Sequence, residues 1–282
     1  MTTPEMIPAS GRKPRIAILG EFSSGKSTLV NVLLGHVSSP VKVTATQVPP
    51  IWYCAGEACP VVVSQSGTET EITAQEISTV PIRGTDYVRV PLPADILDRV
   101  ELIDMPGSSD PNMAPDIWER LLPQADAVIW CTPATQAWRQ SEAAIWDAVG
   151  PEVQTRSLLL VTRIDKVLND RDRGRLLKRV RRETEGKFRE VFPVDLLSAQ
   201  AGSVQSSGIA AVRSALDALI APHEAAEAAG APADGREGTA ATVLRLQDHA
   251  LSSSRPRAIV TPRRITAARR PRRTSGSGGT AL

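Results

Sequence analysis

The chain has 282 residues, of which 41% are hydrophobic and 23% charged, as is usual for a soluble globular protein. No apolar stretch reaches the roughly 20 residues of a transmembrane helix, and the first residues lack the apolar run of a signal peptide. The three cysteines fit no complete disulfide framework. Composition therefore argues against a membrane-spanning or disulfide-stabilised protein and predicts a cytoplasmic one, at most peripheral to a membrane.

Strand-length apolar runs alternate with helical patterns along the chain. Strands are predicted at residues 15–19, 48–53, 59–64, 87–91, 100–103, 127–131, 158–161 and, more weakly, 194–197. Helices are predicted at residues 27–34, 116–122, 140–148, 172–188 and 209–220. This alternation predicts an α/β fold with a mostly parallel central sheet and helices on both faces.

The net charge of +2 conceals a basic C-terminal segment. Residues 255–282 contain eight arginines and no acidic residue, so the rest of the chain is mildly acidic. Such a segment attracts RNA or an anionic membrane, although a solvated tail with weak, non-specific binding is an equal alternative. We predict a disordered lead at residues 1–13, a folded domain at 14–222, a linker that can hold one short helix at 223–251, and a disordered tail at 252–282.

A phosphate-binding loop lies between the first predicted strand and the first predicted helix. Its residues satisfy the pattern G-x-x-x-x-G-K-[ST] and are Gly20, Glu21, Phe22, Ser23, Ser24, Gly25, Lys26, Ser27 and, at the helix start, Thr28. Backbone N–H groups of such a loop face phosphate oxygens at the N-terminal end of a helix. We expect Lys26 to reach the β- and γ-phosphates and the Ser27 hydroxyl to bind Mg²⁺.

Two further motifs follow apolar strands and should lie at the same edge of the sheet. Asp104, in Asp104-Met105-Pro106-Gly107, can hold Mg²⁺ through water, and the Gly107 N–H can reach the γ-phosphate. In Thr162-Arg163-Ile164-Asp165, the carboxylate can accept hydrogen bonds from the guanine N1 and N2 edge. Adenine lacks both donors and would leave the carboxylate unpaired, so Asp165 favours GTP over ATP.

Together these motifs resemble those of the translation-factor-like GTPases, and Gly20-Glu21-Phe22-Ser23-Ser24-Gly25-Lys26-Ser27-Thr28 resembles the phosphate loop of bacterial members of the dynamin superfamily. The resemblance covers residues 14–222 and implies a GTPase domain that binds GTP or GDP with Mg²⁺. By the same resemblance, Thr46 closes on Mg²⁺ and the γ-phosphate, with Thr44 as the alternative. It also implies that Ser23 helps to position water and that Ser198 and Ala199 support the base.

The chain departs from that pattern at several positions. Phe22 stands where eukaryotic dynamins carry a glutamine, Ser108 follows the Asp-x-Pro-Gly motif where many GTPases have one, and Arg163 replaces a lysine. We therefore predict slow hydrolysis, with Lys26, Ser23 and Thr46 as catalytic residues, accelerated by a homodimer partner or an activating protein. The helical segments that form a dynamin stalk have no counterpart in the sequence, so membrane remodelling is not expected.

Three functions remain open at this point: a regulatory GTPase, a GTP-dependent switch that does not hydrolyse, and an RNA- or ribosome-associated GTPase that uses the basic tail. The four tryptophans of the second half, which either fill the core or form an aromatic contact surface, are Trp118, Trp130, Trp138 and Trp146.

Overall fold

The computed structural model describes residues 12–35, 48–107 and 116–228. Within them, nine strands form one sheet: β1 (Arg15–Gly20), β2 (Ile51–Ala55), β3 (Val61–Ser64), β4 (Glu69–Glu71), β5 (Thr85–Leu92), β6 (Glu101–Asp104), β7 (Ala127–Pro133), β8 (Leu158–Thr162) and β9 (Glu190–Pro193). Their order across the sheet is β4-β3-β5-β2-β6-β1-β7-β8-β9.

The same residues form eight α-helices: α1 (Lys26–Leu34), α2 (Asp95–Arg99), α3 (Asp116–Leu121), α4 (Gln140–Trp146), α5 (Pro151–Gln154), α6 (Asp170–Glu183), α7 (Leu196–Gln200) and α8 (Ile209–Ala228). Short 3₁₀ turns, such as Ile164–Lys166 after β8, complete the connections.

The sheet is mostly parallel, as predicted. Strand β1 pairs in parallel with β6 and β7, and β8 and β9 continue the parallel order. Strand β2 is antiparallel to β6 but parallel to β5, and β3 is antiparallel to both β4 and β5. The carboxyl ends of β1, β6, β7, β8 and β9 therefore share one edge of the sheet, where ligands bind in such folds.

Helices cover both faces of the sheet, because alternate side chains of each buried strand point to opposite sides. In β1, Ile16 and Ile18 pack with α1, α2 and α8, whereas Ala17 and Leu19 pack with α3, α4 and α6. Strand β8 is buried at every position, as expected for a parallel strand covered on both faces. The predicted fold class is confirmed.

Near the C-terminal end of the folded region, one predicted strand is wrong and one predicted helix is longer than expected. The last strand is β9, not residues 194–197, which belong instead to the turn before α7 and its first residues. Asp195 causes this difference, because its side chain accepts a hydrogen bond from the backbone N–H of Ser198 and so begins a helix. Helix α8 also passes residue 220 and reaches Ala228, so the boundary predicted at 222 falls inside a helix.

The tryptophans are mainly core residues. Trp130 and Trp146 are fully buried with ring centroids 5.6 Å apart, and Trp138 is 7% exposed. Trp146 also stacks on Phe188, with ring centroids 4.1 Å apart. Trp118 is only half-buried and borders a surface cavity of about 610 Å³. None of the helices that the structure describes is both long and apolar enough to cross a membrane.

Candidate functional site

The phosphate-binding loop turns sharply between β1 and α1. Gly20 and Gly25 have backbone φ angles of 141° and 98°, in the region that favours glycine. A Cβ on Gly20 would lie 2.2 Å from the carbonyl oxygen of Cys131 on β7. A Cβ on Gly25 would lie 3.2 Å from Leu196 and 3.7 Å from Thr162. Only glycine therefore allows the loop to pack this closely against β7, β8 and α7.

Lys26 is folded back into this loop. Its side chain is buried, and its Nζ donates hydrogen bonds to the carbonyl oxygens of Gly20 at 3.1 Å and Glu21 at 2.8 Å. The ammonium group is thus held over the concave side of the loop. The arrangement offers a positive charge where the sequence predicts the β- and γ-phosphates.

Asp104, at the end of β6, lies beside the first turn of α1. The Ser27 hydroxyl donates a hydrogen bond to its carboxylate. Burial raises the pKa of Asp104 to about 6, while nearby Lys26 and the hydrogen bond from Ser27 act in the opposite direction. Because burial destabilises the ionised carboxylate of Asp104, a positive charge beside it would stabilise that form. The pair Ser27 and Asp104 therefore fits a hard cation such as Mg²⁺.

The described residues contain no cluster of three or more His, Cys, Asp or Glu side chains that could hold a metal ion. Mg²⁺ does not require one, since it is commonly held by one or two carboxylates together with substrate phosphates and water. Ser27 and Asp104 are the two residues of the predicted metal set that the structure brings together. Thr46, its third member, lies outside the described residues.

Gly107 packs directly against the loop. A Cβ at this position would lie 2.8 Å from both the backbone N and the Cα of Phe22. The backbone of the Asp-x-Pro-Gly segment therefore contacts the phosphate loop beside Phe22, whose ring is 52% exposed. Ser108, Thr44 and the arginine-rich tail lie outside the described residues.

The end of β8 is tied to the phosphate loop by two side chains. The Thr162 hydroxyl donates to the carbonyl oxygen of Ser24 at 2.6 Å and is buried. The exposed Arg163 guanidinium donates to the carbonyl oxygen of Ser23, also at 2.6 Å. Ser23 and Arg163 both have left-handed backbone conformations, with φ angles of 58° and 55°. These contacts connect the predicted guanine motif to the phosphate loop.

The rest of the predicted base site comprises Asp165, Ser198 and Ala199. Asp165 is half-buried, and one of its carboxylate oxygens lies 2.9 Å from Nζ of Lys166. Ser198 and Ala199 lie on α7, where the Ser198 hydroxyl donates to Asp195 at 2.5 Å and Ala199 is buried. Leu196 brings α7 against Gly25, so the predicted phosphate and base residues surround one region of the sheet edge.

The start of α4 also contacts the phosphate loop, a connection that the sequence motifs do not indicate. The Ser141 hydroxyl donates to a carboxylate oxygen of Glu21 at 2.9 Å, and the Arg139 guanidinium lies 3.3 Å from its other oxygen. The fully buried Glu142 fixes this turn by accepting hydrogen bonds from the Trp130 indole, the Thr132 hydroxyl and the Arg139 backbone N–H.

Glu142 retains a carboxyl group inside the protein. Its burial raises its pKa, whereas the three donors lower it. From the sequence alone, Glu142 could be predicted only to cap the N-terminal end of a helix. Its partners lie on β7, ten and twelve residues away, and their approach depends on the packing of α4 on the sheet.

The strand β1, the glycine loop, α1 and the strand-end carboxylate define a P-loop nucleotide-binding domain. A model of the dynamin family matches residues 16–164, which is more than half of the chain. The chain therefore belongs to the dynamin family and carries a dynamin-like GTPase domain.

Two solved bacterial dynamin structures share this fold. Two chains described as an oligomerised bacterial dynamin pair, providing a mechanism for long-range sensing and tethering of membranes, have TM-scores of 0.55 and 0.50 and identities of 17% and 20%. They cover 73% and 74% of this chain, which spans only 34% of the length of each. Era from Aquifex aeolicus, bound to GDP·AlF4⁻, has 18% identity and a TM-score of 0.41, and the match covers 69% of this chain and 56% of the Era chain. No curated protein sequence matches the chain.

Proposed function

We propose that this protein binds GTP with Mg²⁺ and hydrolyses it slowly to GDP and phosphate as a regulatory GTPase. The observation that carries the proposal is that Gly25 of the phosphate loop packs against Thr162, of the predicted guanine motif, and against Leu196 of α7, the helix that carries Ser198 and Ala199. Membership of the dynamin family supports the same reaction.

Phosphoryl transfer requires positioning and charge stabilisation more than covalent chemistry by the protein. In this proposal Lys26 exchanges its hydrogen bonds to the loop carbonyls for bonds to phosphate oxygens. Ser27 and Asp104, with Thr46, would hold Mg²⁺, which neutralises charge on the phosphates when bound. Other backbone N–H groups between Glu21 and Ser27, apart from that of Ser24, which donates to the Glu21 carbonyl oxygen, would donate with that of Gly107 to the remaining phosphate oxygens.

Recognition of the base is assigned to the turn after β8 and to α7. Asp165 would accept the guanine N1 and N2 hydrogen bonds, with Thr162 and Arg163 supporting the turn and Ser198 and Ala199 lying beside it. Charged or buried acceptors favour a ligand that supplies the matching donors, because an unmatched carboxylate loses its hydrogen bonds to water. This role predicts a preference for GTP and GDP over ATP.

A phosphate-release assay on the full chain tests the proposal. We expect turnover of GTP that requires Mg²⁺, is slow in dilute protein and rises with protein concentration or an added activator. Lys26→Ala should abolish it, whereas Lys178→Ala, which removes an exposed lysine on α6, should retain it. Turnover of the wild type that is equal to that of Lys26→Ala would reject the assignment of hydrolysis to this site.

A second candidate is a GTP-dependent switch that does not hydrolyse. It is favoured by Phe22, whose exposed phenyl ring cannot orient an attacking water. Under this alternative the protein binds GTP in the same site but releases no phosphate at any protein concentration. Binding and phosphate release measured on the same preparation distinguish the two.

Association with RNA through the arginine-rich tail remains a prediction, tested by ribosome co-sedimentation before and after deletion of residues 252–282.

A further inference from the structure

Helix α6 carries far more positive than negative charge. Its 14 residues include seven basic and three acidic side chains. One face of the helix is fixed against the domain: Val180 is fully buried, and Leu176 and Leu177 pack against the core cluster around Trp130. The apolar contacts thus determine which face of α6 points away from the protein.

The opposite face displays four cations in a line. Arg171, Arg175, Lys178 and Arg182 are all exposed and follow one another at intervals of four, three and four residues. At 3.6 residues per turn these positions fall on one face, and at 1.5 Å per residue they extend over about 16 Å. Gly174, within this segment, has nothing within 4 Å of a hypothetical Cβ, so the face is open. We call these four residues the α6 basic stripe.

Stability of the fold does not explain this stripe. Two of the three acids of α6 pair with basic residues outside it: Asp170 lies 3.3 Å from Arg173, and Glu183 lies 2.8 Å from Arg179. Within the stripe, only Arg175 has an ion pair among the described residues, a 3.6 Å contact with Asp172 in which both side chains are more than half exposed. Like charges three or four residues apart on a helix repel each other by a few tenths of a kcal/mol.

An apolar side chain lies at the start of the same helix. Leu168 is 92% exposed and immediately precedes Asn169, the N-cap of α6, three residues before the first cation of the stripe. An exposed leucine next to a row of cations provides both components of binding at a lipid surface, namely apolar insertion and attraction to acidic headgroups.

We propose that the α6 basic stripe, together with Leu168, is a contact surface for an anionic phospholipid bilayer. Four cations on one face of a helix can approach a flat, negatively charged surface at the same time. Each basic residue near such a surface strengthens binding by about fivefold. This contact is separate from the arginine-rich tail and does not depend on nucleotide hydrolysis.

Lipid fits the surface better than RNA does. Specific binding to single-stranded RNA relies on aromatic side chains that stack on bases. The exposed large apolar side chains of the described residues are Phe22, Leu168, Leu197 and Val204, and the member adjoining α6 is aliphatic. A leucine adds affinity for a bilayer but has no corresponding partner in a phosphate backbone.

Vesicle co-sedimentation of the full chain tests the proposal. Vesicles of phosphatidylcholine alone are compared with vesicles that also contain phosphatidylglycerol. The double variant Lys178→Ala/Arg182→Ala should bind the acidic vesicles roughly 25-fold more weakly than the wild type, because each lost cation removes about fivefold. The matched control, Arg83→Ala/Arg181→Ala, removes the same charge from exposed positions off the stripe and should lose less than twofold. Arg181 is suitable because it is adjacent to Arg182 but about 100° around the helix.

Every variant keeps the tail, so its contribution cancels in the comparison. Equal loss in both double variants would show that net charge alone binds the vesicles and would overturn the proposal. So would a wild type that fails to distinguish the two vesicle types. Loss of polyuridylate binding without loss of vesicle binding would assign the stripe to RNA instead.

The contribution of Leu168 is tested at about 0.5 M salt, where the attraction between charges is largely screened. Leu168→Ser should then lower the affinity for acidic vesicles by roughly threefold. An unchanged affinity would reject the role of this leucine.

Discussion

The phosphate half and the base half of the candidate site are built differently. In the phosphate half, Lys26 and Glu21 are each 8% exposed, and the loop is joined by hydrogen bonds to both β8 and α4. In the base half, Arg163 is exposed and Asp165 is half-buried beside Lys166 on its own turn. In the proposed function, phosphate binding is thus assigned to buried, tightly connected groups, whereas base selection is assigned to a few more exposed ones.

This difference leads to a general expectation. Changes in the phosphate half should weaken the binding of every nucleoside triphosphate to a similar extent, because all share the same phosphates. Changes in the base half should lower the affinity for guanine nucleotides and leave the affinity for ATP unchanged. The following predictions test this division, from the largest expected effect to the smallest.

Replacing Lys26 by Ala should lower the affinity for GTP, GDP and ATP together, with a loss of about 100-fold for GTP. The reason is that charge-assisted hydrogen bonds contribute roughly 1.5–3 kcal/mol each, and Lys26 is placed to make two. Calorimetric titration with each nucleotide provides the measurement. If the variant bound GTP within threefold of the wild type, the ammonium group would not face the phosphates.

Asp165→Ala should lower GTP affinity by roughly 30-fold and leave ATP affinity unchanged. The effect is smaller than that of Lys26→Ala because a half-exposed carboxylate recovers part of its hydrogen bonding from water. Competition between GTP and ATP for a fluorescent guanine nucleotide measures the ratio. A parallel loss for both nucleotides would indicate that Asp165 supports the loop structure instead of reading the base.

Glu142→Gln should destabilise the fold by about 1.5 kcal/mol at acidic pH, since the amide cannot accept all three hydrogen bonds. The native pKa of Glu142 is raised above its unfolded value, so ionisation disfavours the folded state. The wild-type advantage should therefore shrink as pH rises from the ordinary glutamate range through the raised pKa. Urea unfolding of both proteins between about pH 4 and 7 measures it. An advantage that grows with pH would contradict the assigned direction.

Arg139→Ala should change GTP affinity by less than threefold, because its contact with Glu21 is a 3.3 Å ion pair in which the Arg139 side chain is 44% exposed. Ser141→Ala, which removes the other contact of Glu21, serves as the comparison. A tenfold loss from Arg139→Ala alone would mean that α4 belongs to the phosphate half as a functional component and not only as a support.

The two halves also differ in how far the sequence predicts them. The phosphate loop could be located because its glycines, lysine and serine are contiguous and lie between a strand and a helix. Asp104 and Asp165 could be located because apolar strands end just before them. The packing of Leu196 on Gly25 and the hydrogen bond from Thr162 to Ser24 required the fold, since their partners lie more than a hundred residues apart.

The errors have the same origin. Leu196 and Leu197 suit a strand as well as a helix, and the outcome was decided by Asp195, whose carboxylate caps α7. The contacts of Glu21 with Arg139 and Ser141 join positions about 120 residues apart, and no local pattern announces them. Short-range periodicity thus predicts which elements form, but not which side chains meet between elements.

The most direct test of the proposed nucleotide site is calorimetric titration of the wild-type chain with GTP, GDP and ATP, each with and without Mg²⁺. We expect GTP and GDP to bind, Mg²⁺ to strengthen the binding of GTP, and ATP to bind at least 30-fold more weakly. Equal affinity for ATP and GTP would contradict the role of Asp165, and the absence of binding by any of the three would contradict the nucleotide site itself.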